Sequence, residues 1–295
     1  MTDLRARAIA LYDAFTHEGG DRRAFMRDMV ALAGSAVAAE ALVAGIAASP
    51  AAAQVIRPDD PRLVASRITR TEAGRPLTAY VCAPAAAVDG RPRGAVLVLH
   101  ENRGLNAHVE DVTRRLALAG FLALAPDLLS PQGGTPADED RARTLIGTID
   151  YDLALAQTRA VLAQWQGDPT ISGTGAVGFC WGGGFVNRLA VAAGGQLGAG
   201  VAYYGPAPDP AEAARVQATM LLHYAERDAR VNATGLPWAA ALQQAGKRVE
   251  SHVYTGVDHA FNNDTSAARY DRAAATLAWQ RTLVMLHARL DPPAA

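Results

Sequence analysis

The run TGAVGFCWGGGF, residues 174 to 185, constrains the chain more than any other stretch. An apolar segment of strand character passes without a linker into a helical pattern reaching from Trp181 to about Ala193, and Cys180 stands at the junction. A sharp strand-to-helix turn accommodates this. It leaves no room for side chains at Gly178, Gly182 and Gly183, which flank the cysteine. Such a turn lifts the sulfur off the end of a sheet and places it at a helix N-terminus. There the unpaired amides and the helix dipole favour thiolate.

The rest of the body repeats the alternation. SRITR and LTAYVCAP read as strands joined by the turn EAGRP, and GAVLVLH (94 to 100) is a short apolar run expected of a strand buried on both faces. NAHVEDVTRRLALAG has helical spacing, with Val109, Val112, Leu116 and Leu118 apolar and Gly120 ending it. FLALAPD reads as the next strand, and residues 137 to 165 carry one long helical pattern. Beyond Cys180, LGAGVAYYG, TMLLHYAERD and RVESHVYTG read as strands. TGLPWAAALQQAG and RYDRAAATLAWQRTLVMLHARL read as helices. This order predicts an α/β fold, a mostly parallel sheet with helices on both faces joined by right-handed crossovers.

In such sheets ligands bind beyond the carboxyl ends of the strands. Cys180 ends one strand, Asp228 ends TMLLHYAERD, His259 lies in the loop GVDHAF after the following strand, and Glu101 directly follows GAVLVLH. Four groups capable of chemistry are thus expected at one sheet edge, in the order nucleophile, acid, histidine. The histidine would exchange a proton with the thiol and later activate water, and the acid would fix its tautomer. The amide of Trp181 is placed to bind an oxyanion, with a second amide expected from the loop after His100. Glu226 and Asp258 compete with Asp228 for the acid role. His100 and His223 are expected to pack and hydrogen-bond, and Cys82, inside LTAYVCAP, to be an inert core residue.

Composition removes several classes. With 295 residues and a formal net charge of -1, the chain gives no electrostatic reason to expect a nucleic-acid partner. Its seven histidines form no HExxH, its two cysteines form no CxxC, and no metal or other cofactor is expected. GFCWGGG matches neither GxGxxG nor a phosphate-binding loop, and no GxSxG is present for a serine nucleophile.

Residues 1 to 53 read differently from the body. DRRAFMR (21 to 27), the alanine-rich stretch that follows and Ala51-Ala52-Ala53 have the layout of a twin-arginine export signal. Glu40 in the apolar stretch argues against it. So does LRARAIALYDAF, which sets Leu4, Ala8, Leu11, Tyr12 and Phe15 on one helical face. A periplasmic protein is the favoured reading. The alternative is a helical extension retained on a cytoplasmic protein. Stable membrane insertion is not expected of so alanine- and glycine-rich a segment. The division expected is an extension (1 to 53), a linker (54 to 64) and a catalytic domain (65 to 295).

Five motifs in order, HENRG (100 to 104), APDLLSP (125 to 131), GFCWGGG (178 to 184), HYAERD (223 to 228) and GVDHAFNND (256 to 264), resemble the dienelactone hydrolase family, the carboxymethylenebutenolidases of the α/β-hydrolase fold. The resemblance covers roughly residues 65 to 290. It implies a triad of Cys180, Asp228 and His259. It also implies a glutamate, Glu101, that contacts the resting thiol and takes its proton when substrate arrives, and an oxyanion hole formed by the amides of Asn102 and Trp181. The implied reaction is attack on a lactone or ester carbonyl, an acyl-thioester, then hydrolysis, without a cofactor. Family members that open dienelactone bind its carboxylate through arginines, one of them four positions after the catalytic histidine, where this chain has Asn263. Arg103, Arg141, Arg143 and Arg227 are candidates to replace it, with Arg103 and Asn263 the substrate-binding residues named here. The partner expected is a small ester or lactone. The other reading of Cys180 is a redox-active or electrophile-binding thiol, for which Cys82 is the one available resolving cysteine.

Overall fold

A computed structural model describes residues 2–17, 21–47, 55–86 and 93–291. Its strands are β1 (Leu63–Glu72), β2 (Arg75–Pro84), β3 (Arg93–Leu99), β4 (Leu122–Asp127), β5 (Ile171–Phe179), β6 (Ala199–Tyr203), β7 (Thr219–Ala225) and β8 (Val249–Tyr254). They form one sheet in the order β1-β2-β4-β3-β5-β6-β7-β8. β1 and β2 make an antiparallel hairpin and β2 runs antiparallel to β4. Every pairing from β4 onward is parallel. β3 is buried along nearly its whole length, as its continuous apolar run requires of a strand covered on both faces, and β5 is buried from Thr174 onward.

Helices α4 (Ala107–Leu118) and α9 (Arg272–Leu290) cover one face, contributing Val109, Leu116 and Leu286 to a core shared with Val96, Val98 and Val177. The other face is covered by α6 (Tyr151–Gln166), α7 (Trp181–Ala192) and α8 (Ala229–Gln244), whose Leu162, Phe185 and Trp238 pack with Leu97, Leu99 and Leu222.

Two helices differ from the sequence expectation. The single pattern over 137 to 165 is broken into α5 (Glu139–Ile146) and α6, because Asp138 and Asp150 each cap a separate N-terminus through backbone amides. The helix read from TGLPW begins earlier, at Ala229. Asp228 caps it by accepting from Val231 N, and Pro237 sits inside it.

Preceding the sheet, α1 (Thr2–His17), α2 (Arg22–Ala33) and α3 (Ala36–Ile46) share an apolar cluster of Ala8, Ile9, Tyr12, Phe15, Phe25, Met29, Ala39 and Ile46. Phe15 and Phe25 stack with centroids 4.4 Å apart. The DRRAFMR segment is the start of α2: Asp21 caps it, Arg22 pairs with Asp140, and Phe25 is buried. Glu40 is exposed on α3, so that charge is not buried. No single described helix is long and apolar enough to cross a membrane, and α2 and α3 meet at a 108° bend. Ala51 to Ala53 lie outside the described residues.

The three helices are tied to the body by polar contacts. Ala268 N donates to Gly45 O at 2.9 Å, Ser266 Oγ to Ile46 O at 2.5 Å, and Arg269 pairs with Asp13 at 3.2 Å.

Candidate active site

Cys180 occupies the turn between β5 and α7 with φ 54° and ψ −116°, a conformation that strains any residue but glycine. What holds it there is close backbone packing on either side. A Cβ at Gly178 would lie 2.2 Å from Gly182 O, and one at Gly182 would lie 2.3 Å from Leu99 O. The Cys180 amide is fixed by Tyr203 O at 3.0 Å. Trp181 is the first residue of α7, so its amide is among the four at a helix start with no intrahelical carbonyl.

The remaining members arrive from neighbouring strand ends. His259 Nδ1 donates to Asp228 Oδ2 at 2.5 Å, and both side chains are buried. The imidazole also interacts with Cys180, which lines the same cavity. Burial alone would lower the His259 pKa. The charges of Cys180 and Asp228 outweigh it and push the imidazole up to about 10. Burial would likewise raise the Asp228 carboxyl, but the His259 charge and hydrogen bond, with Val231 N, hold it below its ordinary value. The structure therefore joins Asp228 to His259. Glu226 is exposed and accepts from Gly256 N, while Asp258 faces Arg227 at 3.7 Å.

Glu101 follows β3 and lines the same cavity as Cys180 and His259. Its Oε2 accepts from Asn263 Nδ2 at 3.1 Å, and its Oε1 is buried with no hydrogen-bond partner among the described residues. Asn263 is 2% exposed, and its Oδ1 accepts from Thr265. This amide is committed to the protein interior. Arg103 lines the thiol cavity, pairs with Glu139 at 2.8 Å and donates to Tyr12 Oη. Arg143 donates to Phe15 O and lies 4.0 Å over its ring, whereas Arg141 and Arg227 are exposed.

His100 and His223 take the packing roles expected of them. His100 is buried: its Nε2 accepts from Leu128 N, so its Nδ1–H donates to Glu101 O at 2.8 Å, and it stacks on Trp181. Burial holds it below the usual histidine range. This neutral ring steadies the turn that carries Glu101 and Asn102. His223 bonds Tyr254 and Thr282 inside the sheet. Cys82 is fully buried on β2, and burial pushes its thiol up to about 11.

Four residues at the site were not singled out from the sequence. Tyr12 and Thr16, from α1, line the thiol cavity, as does Arg269. Tyr204, with φ 37°, sets its ring edge-on to His259 at 5.0 Å, and its buried hydroxyl has no hydrogen-bond partner among the described residues. The YYG following the β6 run is the local signal for Tyr204. Nothing local marks the α1 residues.

Comparisons with known proteins give the family of the chain. The model of the dienelactone hydrolase family matches residues 77–290. An Escherichia coli K12 protein named "Putative carboxymethylenebutenolidase" is 32% identical over 253 residues, covering 80% of this chain and 92% of its own. A crystal structure described as "Putative Dienelactone Hydrolase" from Klebsiella pneumoniae superposes with a TM-score of 0.68 at 31% identity, covering 76% of this chain and 98% of its own. A fungal esterase structure from Rhizomucor miehei, at 12% identity, shares the fold with a TM-score of 0.62 over 97% of this chain, a span that takes in the N-terminal helices. With a family model matching well over half its length, the chain belongs to the dienelactone hydrolase family of the α/β-hydrolase superfamily.

Proposed function

We propose that this hydrolase cleaves a small carboxylic ester or lactone with Cys180 as nucleophile. The observation that carries the reading is that Cys180 and His259 line one cavity at the carboxyl edge of the sheet, with His259 hydrogen-bonded to the buried Asp228. The sulfur attacks the carbonyl carbon, a C–S bond forms, and the carbonyl electron pair moves onto oxygen. The amides of Trp181 and Asn102 receive that charge. Collapse re-forms the carbonyl and breaks the C–O bond, and the departing alkoxide takes the proton of His259. A water then gives its proton to His259 and attacks the thioester, and the sulfur leaves as the acid forms, taking back the proton held by Glu101.

Glu101 is the auxiliary base, with its unpartnered Oε1 as the atom that takes the thiol proton when substrate enters. Its other oxygen stays anchored to Asn263. A redox role finds less support. Cys82 sits on β2, three strands from β5 in the sheet order, roughly 14 Å away at ordinary strand spacing, which is too far for a disulfide.

The test is turnover of methyl esters, simple lactones and dienelactone by wild type and Cys180→Ala. Hydrolysis that disappears in the variant supports the thiol mechanism. Hydrolysis that persists at the wild-type rate overturns it.

A further inference from the structure

Cys180 lies between two cavities. The smaller, about 20 Å³, is lined by Cys180, His259, Glu101, Arg103, Tyr12 and Thr16. It has little more room than one water needs. The larger, about 270 Å³, is lined by Cys180, Trp181, Ile146, Tyr151 and Arg230 among others, without His259 or Tyr12, and Thr16 stands between the two cavities and lines both. The leaving oxygen of an ester must come within hydrogen-bond reach of the histidine that protonates it. The alcohol half of the substrate therefore belongs in the smaller cavity, and the acyl half in the larger.

Helix α1 supplies the wall of the smaller cavity. Tyr12 is 4% exposed and is clamped on two sides. Its hydroxyl accepts from Arg103, and the Arg269 guanidinium lies 5.3 Å from its ring centroid. Thr16 is fixed beside it, its hydroxyl donating to Tyr12 O and its carbonyl accepting from Asn102 Nδ2 at 3.2 Å. Arg269 is held in turn by Asp13, one residue after Tyr12.

We propose that α1 is the specificity wall of the enzyme, with Tyr12 and Thr16 admitting only the esters of one- or two-carbon alcohols. The acyl part fits a larger group with aromatic character, matching Tyr151 and Trp181. This inference rests on the thiol-hydrolase reading above and assigns the two halves of its substrate.

The experiment compares kcat/KM for the methyl, ethyl, butyl and benzyl esters of phenylacetic acid, followed by acid release, in the full-length wild type, Tyr12→Ala, Tyr12→Phe and Thr16→Ala. Wild type is expected to favour methyl over benzyl by ~tenfold or more, the scale on which a pocket rejects added carbons. Tyr12→Phe keeps that ratio, because the ring remains. Tyr12→Ala collapses it to ~threefold or less, and Thr16→Ala moves it the same way if Tyr12→Ala does not fold. A second readout is alkylation of Cys180 by N-methylmaleimide and N-benzylmaleimide, with the buried Cys82 as internal reference. The bulky reagent is expected to gain selectively in the alanine variants. Ester ratios and alkylation ratios that stay at wild-type values overturn the proposal. Selective alkylation without hydrolysis of any ester by any form leaves the wall in place and sinks the hydrolase reading instead.

Discussion

Asn263 donates to Glu101 Oε2 at 3.1 Å from a position four residues beyond His259. There the resemblance to dienelactone-opening enzymes calls for an arginine that binds the substrate carboxylate. Here the side chain is buried and turned toward the protein's own acid.

Removing that amide leaves a half-buried carboxylate without its one side-chain donor among the described residues. Asn263→Ala is expected to destabilise the fold by ~1–3 kcal/mol, the cost of leaving a buried polar group unsatisfied. Thermal unfolding checks this, with a Tm lowered by roughly 2–10 °C for a chain of this size. A Tm equal to wild type would show that Asn263 does not hold Glu101.

The elbow tolerates no added methyl. In Gly182→Ala the new Cβ would lie 2.3 Å from Leu99 O, a backbone atom of the central strand that cannot rotate away. The expected result is a loss of at least ~1–3 kcal/mol of stability, with activity lost as Cys180 shifts. Denaturant unfolding and ester turnover of the purified variant check both.

Asp228 orients His259 and stabilises its charge, so Asp228→Asn is expected to lower kcat by roughly 10³-fold or more while leaving the fold intact. Circular dichroism together with turnover of a methyl ester separates this from unfolding. The same loss in Glu226→Gln or Asp258→Asn would contradict the assignment, since neither acid is joined to the imidazole.

His259, charged beside Cys180 and Asp228, has a pH signature. The His259 pKa is raised from 6.5 to about 10, so its contribution to stability is complete below pH 6.5 and is lost as pH rises through 10. The Asp228 pKa is held below 3.8, so its contribution is complete above that pH and is lost as pH falls through the depressed value. The Tm advantage of wild type over His259→Gln is therefore expected to be widest between about pH 4 and 6.5 and to shrink toward pH 10. An advantage that grows above pH 8 would contradict it.

The sheet and the meeting of Cys180, Asp228 and His259 near one sheet edge were legible because the signals for them are local. β3 is a short apolar run, Cys180 directly follows β5, and Asp228 and His259 lie three and five residues beyond the ends of β7 and β8. The break at Gly147 was missed because residues 137 to 165 keep one helical period, while the two capping aspartates that interrupt it act through backbone geometry. The turn of Asn263 inward to Glu101 and the placement of Tyr12 and Thr16 beside Cys180 are tertiary. They depend on contacts between segments distant in the chain, which no spacing encodes.

The most direct measurement is the intact mass of the protein quenched in acid during turnover of methyl phenylacetate, followed by peptide mapping. An added phenylacetyl group is expected on the peptide carrying Cys180 and is expected to be absent in Cys180→Ala. Full turnover by Cys180→Ala, or an acyl group mapped to any other residue, would contradict it.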